Sequence, residues 1–250
     1  MRLNKFLFLA TLSILLLTGC DQNIKIAVNN NQNLQTEWQE IDTGVQFKEI
    51  PVYSNNNTLN DVIIVFKFNP DQFNFSFKKS STAMTVAEWQ EKYDPLFICN
   101  GSYFLENNEP AGLLKINGNT AGKKLSAESV GELVINNQGK LNILENADID
   151  KYDNVLQSYP LLQGISEDSG QLAPRTVVAK DEEGNILFIF TKKYYFSLYT
   201  LQNYLQDSDL NIDIALNLDG GPSTGYFFKG KEERSYPSQA VANVIMINKK

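Results

Sequence analysis

The sequence predicts an α+β domain: a mixed, mostly antiparallel β-sheet with a few flanking helices. Short apolar segments rich in β-branched and aromatic residues recur along the chain, and Gly, Asn or Asp bounds most of them. Only two segments show the leucine or capping pattern of a helix. With 250 residues, 42% of them hydrophobic, the chain is long enough to bury one large core.

The predicted strands begin near residue 60. Residues 62–68 form a β-branched run, and Phe73, Phe75 and Phe77 then alternate with polar residues, as in a half-buried strand. The Asn-Pro-Asp sequence at residues 69–71 predicts a hairpin connection between these two strands. Further strands are predicted over residues 96–99, 113–116, 132–135, 141–144, 175–179, 186–190, 212–218 and 241–247.

Two helices are predicted between the strands. Residues 85–93 form the first, with Thr85 as N-cap and Glu88 three residues later, which is the capping-box pattern. Residues 197–206 form the second, because Leu198, Leu201 and Leu205 recur at helical spacing.

The N-terminus, residues 1–19, is predicted to be a lipoprotein signal peptide. A basic start is followed by an apolar run over residues 6–17, which ends at Leu-Thr-Gly-Cys and resembles the bacterial lipobox. We expect cleavage before Cys20 and lipid modification of Cys20, which would anchor the chain to the membrane outside the cytoplasm, at the cell envelope. The alternative is an ordinary N-terminal anchor helix. Residues 20–40 are then an Asn-rich tether, and residues 41–250 the folded domain.

Composition excludes several functions. The chain has no histidine, so it can hold no Ser-His-Asp triad and no imidazole-ligated zinc. Its formal net charge of −7 argues against nucleic-acid binding, which needs clustered Lys and Arg. Cys99 lies in an apolar run, where a buried and inert thiol is expected.

Three polar clusters follow apolar strands. They occupy residues 100–112, 174–176 and 217–224, and two of the three carry glycines. Binding groups commonly sit at strand ends of a rigid sheet. Asn-Gly and Asp-Gly are also the commonest hairpin turns, so each cluster can equally be a structural turn. Composition and spacing alone lead only to an extracytoplasmic α+β domain.

Taken in order, these clusters resemble the phosphodiester glycosidase family, which is related to the enzyme that removes a capping N-acetylglucosamine from mannose 6-phosphate. The resemblance rests on Asn-Gly-Ser-Tyr-Phe, Pro-Ala-Gly-Leu, Pro-Leu-Leu, Pro-Arg-Thr and Leu-Asp-Gly-Gly-Pro-Ser. These motifs stand at residues 100–104, 110–113, 160–162, 174–176 and 218–223. One departure is that Ser102-Tyr103 replaces the more usual Gly-Phe.

The resemblance implies hydrolysis of a sugar-1-phosphodiester between the anomeric carbon and oxygen. Arg175 would bind the phosphate, since a guanidinium pairs with phosphate oxygens in bidentate fashion. Asp219 would act near the anomeric carbon, as electrostatic stabiliser, nucleophile or base for water. Glu109 is a candidate second carboxylate. The leaving group is already a stable anion, so a site without histidine suffices.

Further residues are implied as substrate contacts: Asn100, Gly101, Asn217, Gly220, Gly221, Ser223 and Thr224. Asn100 would bind sugar hydroxyls, the backbone N–H groups of the two adjacent glycines would form an anion nest, and the Ser-Thr pair would bind phosphate. No cofactor is required. Asn100, Asn217 and Asp219 nevertheless supply oxygen atoms of the kind that hold Ca²⁺ or Mg²⁺.

The leading hypothesis is therefore an envelope-anchored enzyme whose substrate is a glycosyl phosphodiester in exopolysaccharide or wall glycan. A non-catalytic glycan-binding lipoprotein would use the same cleft without turnover. A phosphodiesterase would break the P–O bond instead. A structural envelope protein would hold Arg175 and Asp219 far apart.

Overall fold

A computed structural model describes residues 34–126 and 129–250. The predicted signal peptide, the predicted lipidation site Cys20 and most of the predicted tether lie outside these residues. Residues 34–250 form one compact unit, and its first strand begins at Gln39. None of its described helices has the length and apolar character needed to cross a membrane.

The unit consists mainly of short strands. They are β1 (Gln39–Asp42), β2 (Val45–Tyr53), β3 (Leu59–Phe68), β4 (Phe73–Met84), β5 (Phe97–Asn100), β6 (Leu114–Ile116), β7 (Asn119–Ala121), β8 (Gly131–Ile135), β9 (Leu141–Glu145), β10 (Asn154–Ser158), β11 (Arg175–Asp181), β12 (Ile186–Thr191), β13 (Ile212–Asn217), β14 (Tyr226–Lys229), β15 (Glu233–Tyr236) and β16 (Val241–Lys249). The α-helices are α1 (Val86–Tyr93) and α2 (Leu198–Gln206), and single 3₁₀ turns occupy Ile149–Lys151 and Gly221–Ser223.

The strands form three sheets. The first has the order β1-β2-β3-β12-β11-β13, the second β7-β6-β10-β8-β9, and the third β15-β14-β5-β16-β4. Every strand pairing among the described residues is antiparallel. The predicted α+β class is therefore right only in outline: the unit is predominantly β, and no parallel pair makes its sheets mixed.

Phenylalanine rings join the first and third sheets face to face. The Phe97 ring of β5 lies 5.1 Å from Phe66, 5.2 Å from Phe68 and 5.0 Å from Phe188 between ring centroids. Inward-facing residues of the second sheet, such as Leu133 and Leu156, complete the same core. Tilted and edge-on aromatic pairs of this kind add stability beyond their buried area.

The helices cover the outer faces of two sheets. Trp89 of α1 is fully buried against Ile98 and Val244 of the third sheet. Leu201 and Leu205 of α2 pack against the outer face of the first sheet. The layers are thus helix, sheet, sheet, helix, and the apolar faces of all four are covered.

Both predicted helices are confirmed with their N-caps. The Thr85 side chain accepts a hydrogen bond from the Glu88 amide, and the Glu88 carboxylate accepts one from the Thr85 amide. Ser197 and Thr200 form the equivalent pair at α2. Cys99 is a free, fully buried thiol, and burial raises its pKa, as expected for an inert cysteine.

The predicted hairpin at residues 69–71 is wrong. β3 pairs with β2 and β12 in the first sheet, whereas β4 pairs with β16 in the third. The turn therefore carries the chain from one sheet to another. The same turn residues suit a hairpin and a crossing between sheets, because a turn reverses the chain without specifying which strand the next segment pairs with.

Candidate active site

Two antiparallel strands bring Arg175 and Asp219 to the same edge of the first sheet. β11 begins at Arg175, and β13 ends two residues before Asp219. Val177 pairs with Asn217, and the Leu218 amide donates to the Thr176 carbonyl at 2.8 Å, which extends the pairing beyond β13. In an antiparallel pair the start of one strand lies beside the end of the other. The two predicted site residues are therefore neighbours.

A glycine pair then folds the chain against Arg175. The Gly221 amide donates to the Pro174 carbonyl at 2.8 Å, and Gly221 has a φ of +58°, which favours glycine. A β-carbon on Gly220 would lie 2.8 Å from the same carbonyl and 3.9 Å from Cδ of Arg175. Only a residue without a side chain fits this close approach.

The Arg175 guanidinium is buried without an acidic partner. Its Nε donates to the Phe196 carbonyl at 3.3 Å and its Nη2 to the Gln171 carbonyl, and the side chain is only 6% exposed. Among the described residues, no carboxylate forms an ion pair with it. Burial lowers its pKa, with the nearby Tyr103 acting in the opposite direction. A buried cation without a counter-charge is costly unless an anion binds it.

The Asp219 carboxyl is half-buried beside this cation. Burial raises its pKa, while hydrogen bonding by the Ser223 hydroxyl and the Gly220 amide lowers it. Its backbone is held at both ends: the amide donates to the Gly101 carbonyl at 3.1 Å, and the carbonyl accepts from Nδ2 of Asn100 at 2.7 Å. The structure thus fixes Asp219 in position and shifts its titration toward neutral pH.

Tyr103 lies near both charged groups. The sequence analysis did not select it as a site residue. Its hydroxyl accepts a hydrogen bond from Nδ2 of Asn217 at 2.7 Å, and its ring lies 4.9 Å from that of Tyr159. Burial and, after it, the Asp219 charge raise the pKa of Tyr103 to about 12, against the Asn217 hydrogen bond and the Arg175 charge. The available signal was the departure from Gly-Phe at Ser102-Tyr103.

Asn100 holds neighbouring segments of the chain together. Its side chain has no free group for the predicted contact with sugar hydroxyls. The side chain is fully buried. Its Oδ1 accepts from Oγ1 of Thr176 at 2.9 Å and from the Gly225 amide at 3.2 Å. Its Nδ2 donates to the Asp219 carbonyl and, at 3.4 Å, to the Gly101 carbonyl. All its hydrogen-bonding positions are occupied, so Asn100 positions Asp219.

Two further predicted contacts are structural. The Thr224 hydroxyl is buried 3.3 Å from that of Thr176, inside the Asn100 network. Gly101 lies against Asn243: a β-carbon there would be 2.0 Å from Oδ1 of Asn243, which accepts from the Ser102 amide at 2.8 Å. Asn243 interrupts the apolar strand β16, and such a buried amide is the sequence signal that could have revealed it.

The predicted anion nest is also occupied. The Gly221 amide is bonded to the Pro174 carbonyl, and the Gly220 amide is directed to the Asp219 carboxyl. The Gly221 N–H group is therefore not free for a phosphate. Ser223 stays beside Asp219 in a half-buried position, where its hydroxyl can contact both the carboxyl and a ligand.

Asn217 holds Tyr103 in place. Its Nδ2 donates to the Tyr103 hydroxyl and, at 3.1 Å, to the Tyr159 carbonyl. Its buried Oδ1 has no hydrogen-bond partner among the described residues. Because Asn217 donates to the phenol, the Tyr103 hydrogen is available for another acceptor.

Glu109 lies outside this group. Its carboxylate forms an ion pair with Lys79 of β4 at 2.7 Å. None of the hydrogen bonds around Asp219, Arg175 or Tyr103 involves Glu109, so the structure pairs this second carboxylate with Lys79 instead.

One of the oxygen atoms suggested for Ca²⁺ or Mg²⁺ is already occupied. Both acceptor positions on Oδ1 of Asn100 are filled by Thr176 and Gly225. In the described ranges, no group of three or more Cys, Asp or Glu side chains is arranged to hold a metal ion. Oδ1 of Asn217 and the Asp219 carboxyl remain as candidate ligands, to which waters and substrate oxygens would add.

A groove lies elsewhere on the molecule. It has a volume of about 610 Å³, and six of its fourteen lining residues are amides, including Asn74, Asn117 and Asn136, with Lys78 and Asp153 as its charged residues. It holds no buried unpaired charge. Chemistry, not volume, therefore marks the Arg175–Asp219 edge as the candidate active site.

The family model for phosphodiester glycosidases matches residues 93–248, which include Arg175, Asp219 and Tyr103. The chain therefore belongs to the phosphodiester glycosidase family, and its membership supports a glycosidase-type hydrolytic role. No curated protein sequence matches the chain.

Solved structures share the fold at low identity. The catalytic domain of zebrafish N-acetylglucosamine-1-phosphodiester alpha-N-acetylglucosaminidase, auto-inhibited by its pro-peptide, has a TM-score of 0.65 at 16% identity, covering 86% of this chain and 88% of that one. A hypothetical protein from Synechocystis has a TM-score of 0.59 at 14% identity, covering 86% and 64%. A putative exported protein from Burkholderia pseudomallei K96243 has a TM-score of 0.52 at 10% identity, covering 75% and 74%.

Proposed function

We propose that the protein hydrolyses a glycosyl-1-phosphodiester by breaking the bond between the anomeric carbon and the phosphate oxygen. The observation that carries this proposal is the buried Arg175 guanidinium, which has no carboxylate partner among the described residues and begins the strand next to the Asp219 segment. A phosphodiester supplies the missing negative charge, and its sugar arm supplies a carbon that a carboxylate can act upon.

In this reaction the anomeric carbon loses its bond to the phosphate oxygen and gains the hydroxyl of a water molecule. The remaining water proton goes to the phosphate, and the products are a free sugar and a phosphomonoester. Arg175 stabilises the negative charge that collects on the departing phosphate. Such charge stabilisation is usually the largest single contribution to rate.

Asp219 acts on the sugar side, as stabiliser of the oxocarbenium-like state, as nucleophile or as base for water. Its raised pKa, caused mainly by burial, brings the carboxyl closer to the pH at which a proton-transfer group works best. Hydrogen bonding by Ser223 and the Gly220 amide opposes this rise in the pKa.

A set of methyl diesters of sugar 1-phosphates, hydrolysed in ¹⁸O-water by the purified full-length chain, tests the reaction. We expect label in the released sugar, because the C–O bond breaks. Label in the phosphate would identify P–O cleavage and contradict the proposal. Binding without product over prolonged incubation would identify a non-catalytic glycan-binding protein.

The proposed location is the cell envelope, where a lipid on Cys20 anchors the chain and exopolysaccharide or wall glycan provides the substrate. Leu-Thr-Gly-Cys at residues 17–20, after an apolar run, supports this location. Radiolabelled palmitate should be incorporated into the wild-type chain and not into Cys20→Ala, and the variant should leave the membrane fraction. Equal labelling of both would contradict lipidation at Cys20.

A further inference from the structure

Three exposed apolar residues lie on the two loops that bond Arg175. Of the seven large hydrophobic side chains that are exposed among the described residues, Leu172 (48%), Tyr194 (64%) and Tyr195 (39%) lie on two neighbouring loops. We call these three residues the apolar rim. Exposed large apolar groups that cluster at one place usually mark a contact surface.

Hydrogen bonds join the guanidinium to the two loops that carry the apolar rim. Arg175 donates to the carbonyl of Gln171, which precedes Leu172, and to the carbonyl of Phe196, which follows Tyr195. The Ala173 amide also donates to the Phe196 carbonyl at 3.2 Å, which ties the two loops together. The loops that carry the rim are thus the loops that hold the cation.

A phosphodiester bound at Arg175 has two arms. Asp219 and the Tyr103–Tyr159 pair offer a carboxylate, a phenol and aromatic faces, which suit a sugar. The other arm leaves the phosphate on the side of residues 171–173 and 194–196, where the exposed surface is apolar. Burying apolar surface there is favourable in proportion to the area removed from water.

We propose that the apolar rim binds the aglycone of the substrate, and that this aglycone is apolar, as in a sugar joined through phosphate to an alkyl or isoprenoid alcohol. The proposal rests on the proposed reaction and replaces the polymer with a lipid-linked sugar phosphate as the substrate. Tyrosines of this kind favour the boundary between apolar chains and water.

Two paired measurements test the inference. The first compares the binding of hexyl phosphate and methyl phosphate by calorimetry. The second compares KM for the hexyl and methyl diesters of one sugar 1-phosphate. We expect about tenfold tighter binding and a tenfold lower KM for the hexyl compounds, the effect of burying about two methylene groups. The hexyl preference should fall to about one in the double variant Leu172→Ser, Tyr194→Ser.

Tyr93→Ser provides the matched control. Tyr93 is exposed to a similar extent as Tyr195, at 37%, but it lies at the end of α1 on the outer face of the third sheet. This variant should keep the full hexyl preference. Loss of the hexyl preference in Tyr93→Ser would show a general response to removing an exposed tyrosine and would overturn the inference.

The outcomes separate the two proposals. Equal binding of hexyl and methyl phosphate, with hydrolysis intact, would overturn the apolar aglycone and leave the glycosidase proposal standing. A hexyl preference that disappears in the rim variant, without hydrolysis of either diester, would support the rim and contradict the proposed reaction. Rim variants that lose binding to lipid vesicles but keep the hexyl preference would identify a membrane contact instead.

Discussion

Arg175 shows how one residue can be unfavourable for folding and necessary for function. Its charge is removed from water without an acidic partner among the described residues. A buried charge of this kind is retained where a ligand supplies the opposite charge. Among the described residues, its side chain donates only to two carbonyl groups, so most of its N–H donors stay available to an anion.

Inorganic phosphate should therefore stabilise the wild-type protein. At a concentration about 100-fold above Kd, the free energy of unfolding should rise by about 2.7 kcal/mol. Thermal unfolding with and without phosphate measures this effect. Arg175→Met should show no phosphate-dependent shift, and a shift equal to that of wild type would contradict the assignment of the anion to Arg175.

Asp219 provides the pH-dependent group. Because burial raises its pKa above the ordinary value of 3.8, the rate should fall on acidification at a higher pH than for an exposed aspartate. Ser223→Ala removes a hydrogen bond that lowers this pKa, so the midpoint of the fall should move to still higher pH. Asp219→Asn should lower kcat by about 10²–10³-fold.

The pH profile of kcat/KM for wild type and Ser223→Ala measures the shift. An unchanged midpoint, or one that moves to lower pH, would show that another group controls the acidic side of the profile.

Tyr103 supplies a hydroxyl where the family more usually has phenylalanine. Its pKa of about 12 keeps the phenol protonated through the neutral range, so the hydroxyl remains a donor there. Tyr103→Phe should keep the fold and lower kcat/KM by about 10- to 100-fold, the loss of one hydrogen bond to a charged group. Tyr152→Phe, far along the chain near β10, is the control. Unaltered kinetics in Tyr103→Phe would show that the Tyr103 hydroxyl does not donate to the substrate.

At the scale of elements, the turn after β13 determines how closely the two charged residues approach. Gly220→Ala places a β-carbon 2.8 Å from the Pro174 carbonyl, so the backbone must move and Asp219 with it. A displacement of about 1 Å at a reacting group can cost about 10²-fold in rate. We expect a loss of that size in kcat, with secondary structure retained by circular dichroism.

Gly184→Ala is the matched glycine control. Gly184 has a φ of +86° and open space around it, and it lies in the turn at the opposite end of β11. The variant should lose about 1–2 kcal/mol of stability through backbone strain and keep its rate per folded molecule. Equal rate losses in both glycine variants would show that strain alone, rather than the site geometry, explains Gly220→Ala.

At the scale of the whole molecule, one aromatic core joins sheets that are distant in sequence. Phe97 is fully buried and contacts Phe66, Phe68 and Phe188 across the interface between the first and third sheets. Phe97→Ala should lower the free energy of unfolding by about 3–5 kcal/mol. Phe97→Leu, which keeps most of the volume, should cost clearly less in the same denaturant titration. Equal costs would contradict the cavity explanation.

Long-range pairing also decided which predictions succeeded. The caps at Thr85 and Ser197 depend on residues three positions away, and both helices are where the sequence predicts them. β2 contains Lys48 and Glu49 and ends beside Pro51 and Tyr53, so its local pattern is weak. Pairing with β3 along its length stabilises it as a strand, and no local signal reports that pairing.

The sequence by itself determined the helices, most strands, and the residue types that belong to the phosphodiester glycosidase family, because periodicity, capping and motif order are local properties. Only the tertiary structure decided which groups stay free. It left Arg175, Asp219, Tyr103 and Ser223 near one another, and it occupied Asn100, Thr224 and the Gly221 amide with internal hydrogen bonds. Hydrogen-bond saturation depends on partners up to 125 residues apart, as between Asn100 and Gly225, and sequence spacing carries no information about such partners.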